Sequence, residues 1–107
     1  MVKINGETWN ISIASPKHPM LRRLNGEYAL GSCDDIMKCI YISEGLTRTK
    51  FKKVLCHELT HAFMYSYNVE LTFEQEEALA DLIATYGQAI INETNFVFKQ
   101  LKGEGLL

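Results

Sequence analysis

Residues 57–61 read His57-Glu58-Leu59-Thr60-His61, in a stretch whose surroundings have helical spacing. A helix advances about 100° per residue, so side chains four apart share one face, one turn from each other. Two imidazoles placed that way can reach a single metal ion. Glu58 is one position round the helix, so it would flank that ion and face a water bound to it. Zinc accepts histidine nitrogen readily, and a catalytic zinc commonly has three protein ligands and a water. The pentapeptide therefore predicts a metal site. It requires a third ligand from elsewhere in the chain.

The elements that would carry this chemistry are legible. A helix is expected from Thr47 or Thr49, either of which can cap it, to about Asn68. Its apolar stripe is Phe51, Val54, Leu55, Leu59, Ala62 and Phe63. Thr72 and Gln75 form a capping box that opens a second helix, with Leu79, Leu82, Ile83, Tyr86 and Ile90 along it. Gly87 inside it predicts a close contact or a kink, and the tail after Phe96 extends the helix and then frays. Upstream, residues 2–14 alternate around Asn5-Gly6 as a hairpin would. Ser15 to Pro19 breaks regular structure, Met20 to Leu24 suits a short helix, and Asn25-Gly26 suits a turn. Tyr28–Cys33 and Lys38–Ser43 read as strands joined at Asp34-Asp35.

The second helix offers Glu74, Glu76, Glu77 and Asp81. Glu77 and Asp81 are four apart, so they share a face. If the two helices pack, Glu77 completes a set of His57, His61 and Glu77. Asp81 then stands behind the ligands, where it can accept the second N–H of a histidine and fix its tautomer. Glu76 points about 100° away from Glu77 and is expected on a solvated acidic face.

With these residues in place, the chain resembles the gluzincin branch of the zincin metallopeptidases: H-E-x-x-H, then E-x-x-x-D on a later helix. Glu77 follows His61 by sixteen residues. That short spacing resembles the compact minigluzincins and the ImmA/IrrE-like and phage-encoded zincin-like proteins. The likeness spans roughly residues 27–90 and leaves the first 26 unmatched. It implies an α+β domain over residues 1–107, with a short mixed or antiparallel sheet packed on an active-site helix and a ligand-bearing helix.

It also implies a Zn²⁺-dependent peptidase. The metal would lower the pKa of its water to about 7, and Glu58 would take that water's proton and pass it to the leaving amine. A peptide or protein substrate would add a strand to the edge Tyr28–Cys33, where Gly31 suits close backbone approach or a bulge. Tyr86, Tyr65 and His18 are alternatives for an oxyanion-stabilising group.

A different class competes: a zinc-binding regulatory or interaction protein, phage or mobile-element encoded, with little proteolysis. Glu58 favours catalysis, because structural zinc prefers four protein ligands, often cysteine. A further expectation is a C-terminal tail, Gly103–Leu107, lying in the cleft and holding the enzyme latent.

Composition narrows the partners. Net charge is −2 and no Lys/Arg stripe with interleaved aromatics occurs, so nucleic acid is not expected. Lys50, Lys52 and Lys53 read as a solvated helix face. No apolar run approaches a membrane span, and the N-terminus is too polar for a signal peptide. Cys33, Cys39 and Cys56 contain no C-x-x-C pair and read as reduced thiols of a cytoplasmic protein. Cys56, about 100° off the histidine face, reads as a small hydrophobe.

Overall fold

The hairpin at the N-terminus sets the sheet. In a computed structural model of residues 1–107, β1 (Val2–Ile4) and β2 (Glu7–Ala14) pair antiparallel, with Ile4 opposite Glu7. Asn5 and Gly6 between them have φ of 49° and 78°. This is the two-residue turn whose twist matches the strands, and both positions need left-handed backbone. After a single 3₁₀ turn at Pro19–Leu21 come β3 (Gly31–Asp34) and β4 (Cys39–Ser43), then α1 (Arg48–Ser66) and α2 (Phe73–Gly103). The sheet order is β1-β2-β4-β3, antiparallel except where β2 runs parallel to β4. It is a mixed four-stranded sheet with two helices, a small α+β arrangement consistent with a compact zincin-like domain.

One face of the sheet holds the core. Ile4, Trp9, Ile40 and Ile42 are fully buried against Ala62 of α1. The Trp9 indole N–H donates to Ser66 Oγ at 3.0 Å, and Asn5 Nδ2 donates to the Ser66 carbonyl at 2.9 Å. The first strands thereby tie down the C-terminal end of α1, which fixes where the rest of that helix points. Residues 1–26 supply four of the nine buried hydrophobic side chains, Ile4, Trp9, Ala14 and Leu21.

Two expected elements are shorter. The helix expected at Met20–Leu24 is the turn Pro19–Leu21, after which Arg22 bridges Tyr28. That bridge uses Tyr28, so the strand expected at Tyr28–Cys33 is Gly31–Asp34. Both helices start at the expected caps: Thr47 accepts from the Lys50 N–H, and Thr72 and Gln75 form the complete capping box. Gly87 marks no close contact with another element, since a Cβ there would meet only Ile83 of its own helix.

α2 has 31 residues, about 46 Å at 1.5 Å per residue, and it outruns the body. Its far half is exposed, Phe96 and Phe98 included. Gly103 lies about 39 Å along the helix from Glu77. That distance removes the idea of the tail lying in its own chain's cleft. No helix is long and apolar enough to cross a membrane.

Candidate metal centre

α1 and α2 pack so that three side chains meet. His57 Nε2 lies 3.2 Å from His61 Nε2, and the Glu77 carboxylate is 3.2 Å from the first and 2.9 Å from the second. His57 and His61 come from adjacent turns of α1, and Glu77 comes from the second turn of α2. His61 is buried, His57 and Glu77 partly so.

The outer nitrogens are also engaged. His57 Nδ1 is 2.9 Å from Asp81 Oδ1, and His61 Nδ1 is 2.6 Å from Glu76 Oε1. In the tautomer that carries the proton on Nδ1, each ring donates to its carboxylate and turns an Nε2 lone pair inward. In that tautomer the centre collects two lone pairs and a carboxylate with no donor among them. Such a set repels itself unless a cation sits between its members. Zinc–ligand distances of about 2.0–2.2 Å in a tetrahedron put ligand atoms about 3.3–3.6 Å apart, slightly wider than the 2.9–3.2 Å spacing here. His57, His61 and Glu77 thus form a group that can hold a metal ion.

Glu76 was expected on a solvated face, and it is not there: its side chain is only 17% exposed. The 100° between Glu76 and Glu77 does keep both from the same point. An imidazole, however, has two nitrogens on opposite edges, so carboxylates splayed by that angle can clasp one ring from both sides. The available signal was a count. Two histidines have two outer nitrogens, and Asp81 can serve only one of them.

Glu58 is buried at the back of the same cleft, a space of about 800 Å³ bounded by β3, α1, the start of α2 and the segment after the 3₁₀ turn. Burial raises its pKa above the usual carboxylate range, against the pull of His57, His61 and Arg23. β3 crosses α1 directly above it. A Cβ on Gly31 would stand 2.6 Å from Val54 Cγ1 and 3.0 Å from Glu58 Cγ. The glycine therefore serves close approach of strand to helix, and it seats the Glu58 side chain.

Of the three groups considered for oxyanion stabilisation, only Tyr65 lines this cleft, and burial raises its hydroxyl pKa. Tyr86 sits on the exposed face of α2. His18 accepts the Met20 N–H through Nδ1 and stacks on Tyr41 at 5.2 Å. Cys56 stands outside the metal-binding group, and all three cysteines are free.

The family model for the IrrE N-terminal-like domain, a peptidase family, matches residues 18–94. The chain belongs to that family. The matched segment contains every residue of the cleft and leaves out the β1–β2 hairpin and the last turns of α2. Membership in the IrrE N-terminal-like family points to a peptidase-type hydrolase, and its metallopeptidase character agrees with the His-His-Glu group. Neither curated proteins nor solved structures give a match.

Proposed function

We propose that the chain is a zinc-dependent peptidase, with His57, His61 and Glu77 as metal ligands and Glu58 as general base. The observation that carries this reading is the convergence of two Nε2 atoms and one carboxylate within 3.2 Å, with both outer nitrogens held by Asp81 and Glu76. Zinc at that point would supply Lewis acidity and would bring the pKa of a water to about 7.

The protein's own groups do the rest. Glu58 accepts the proton of the attacking water and returns it to the leaving amine. Its burial raises the carboxyl's proton affinity, which suits a group that must hold a proton between the two events. Asp81 and Glu76 keep the two rings in the tautomer that aims Nε2 inward. Tyr65 offers a hydroxyl that stays protonated at neutral pH and can donate to the carbonyl oxygen as charge builds there. The substrate is a peptide or protein segment lying along the unpaired edge of β3 (Gly31–Asp34), where backbone hydrogen bonds align it without reading every side chain. The reaction belongs to a cytoplasmic protein with reduced thiols.

The deciding experiment compares wild type with Glu58→Gln, both assayed for metal content and for cleavage of a quenched peptide library. Expected are one zinc per chain in each and a fall of about 10²–10⁴ in turnover for the variant. Equal cleavage by both would refute the mechanism. Zinc bound by both with no cleavage by either would leave a zinc-binding interaction protein.

A further inference from the structure

Below β3 the cleft has a second mouth of about 280 Å³, which shares Gly31, His57 and Glu58 with the main one. Three cations border it: Lys50 and Lys53 from α1, and Arg23 from the segment after the 3₁₀ turn. Lys50, Lys53 and His57 have the i, i+3, i+7 spacing of one helix face. The line of that face runs from two ammonium groups straight up to the metal-binding histidines.

None of the three cations takes part in an ion pair, although six exist in the molecule. Two acids, Asp81 and Glu58, also line this mouth, and neither makes an ion pair with these cations. Asp81 is tied to His57, and Glu58 lies buried at the back. The main cleft is more mixed, with Leu21, Tyr65 and Phe73 beside Arg22, Arg23 and Glu76.

The placement of these cations also costs helix stability. The first turns of α1 hold Arg48, Lys50, Lys52 and Lys53 and no acid in the first turn. A helix N-terminus is the positive end of the macrodipole and favours acids. α2 of the same chain follows that preference, with Glu74 and Glu76 in its first turn and Lys102 in its last. Local rules are broken where function requires it. The cations are tolerated beside a site that has a use for positive charge.

We infer that this mouth binds a carboxylate of the substrate, so that the peptidase selects peptides bearing negative charge to one side of the scissile bond. This rests on the peptidase reading and adds the substrate class and the direction in which it lies. Arg23 closes over the carboxylate from the loop wall while Lys50 and Lys53 approach it from the helix. The main cleft takes the other side of the peptide.

The carboxylate can belong to an acidic side chain or to a free C-terminus, and three peptides separate these sources. The first carries an internal Asp with an amidated end, the second Asn with an amidated end, and the third Asn with a free end. Affinities are measured on zinc-loaded Glu58→Gln, which leaves the peptides intact, and kcat/KM on wild type. The Asp peptide or the free-ended peptide is expected to exceed the neutral one about tenfold in affinity and in kcat/KM. That ratio should fall toward one in K50Q/K53Q and in R23Q, and shrink with added salt. Equal affinities for all three peptides, or a ratio that survives the substitutions, would overturn the inference. Affinity is read without turnover, so the binding result decides the matter even if wild type cleaves nothing. That absence of cleavage would count against the peptidase reading alone.

Discussion

The two helices meet at one site and are built in opposite ways. α1 carries the two inner imidazoles and the buried Glu58, is tied at its C-terminal end to Trp9 and Asn5, and starts with cations against its own dipole. α2 supplies only carboxylates, starts with a complete capping box and acids, and runs out into solvent. α1 is held by tertiary packing and can bear local penalties. α2 forms largely on local signals, and only its first turns touch the chemistry. Reactive groups thus sit on the element the core grips hardest, while the groups that orient them come from an element stable on its own terms.

If that division holds, removing an orienting carboxylate should weaken metal binding and leave the fold intact. Glu76→Gln is expected to lower zinc affinity about 10–100-fold by competition with a chromophoric chelator. Asp81→Asn should cost less, because Asp81 is 71% exposed and Glu76 only 17%. The reverse order would show that burial does not set the strength of these contacts.

A change on the grip side should act on stability. Gly31→Ala places a methyl against Val54 and Glu58, and overpacking of this kind costs about 1–3 kcal/mol in urea unfolding. An unchanged midpoint would mean that strand and helix can part freely there.

Smaller effects test the helix starts. Lys50→Glu should stabilise by about 0.3–1 kcal/mol and Glu74→Lys should destabilise by a similar amount, both read from thermal unfolding at low salt. Shifts of the same sign in the two variants would break the comparison.

The smallest effect concerns Cys33, whose pKa is raised well above the ordinary thiol range, first by burial and then by Glu58. The folded thiol holds its proton when the unfolded one has lost it. Its contribution is therefore complete below the unfolded pKa and declines as pH rises past it. Unfolding midpoints should drop between about pH 8 and about pH 10, and drop less in Cys33→Ala. Identical pH profiles would remove the assignment.

What the sequence determined is whatever depends on neighbours within a few turns. The caps at Thr47 and Thr72 are read by backbone N–H groups three residues away. The spacing of His57 and His61, and of Glu77 and Asp81, places each pair on one face by helical geometry alone. The Asn5-Gly6 turn follows from two residues that tolerate left-handed backbone. The tertiary structure decided the rest. The parallel pairing of β2 with β4 joins segments far apart in the chain, and no local pattern encodes it. The shortening of the strand at Tyr28 depends on a bridge to Arg22. Glu76 reaches His61 only because α2 packs against α1, a placement that neither helix contains in its own periodicity. Arg23 likewise joins Lys50 and Lys53 at one mouth only through the tertiary fold, since the loop and the helix are separate segments.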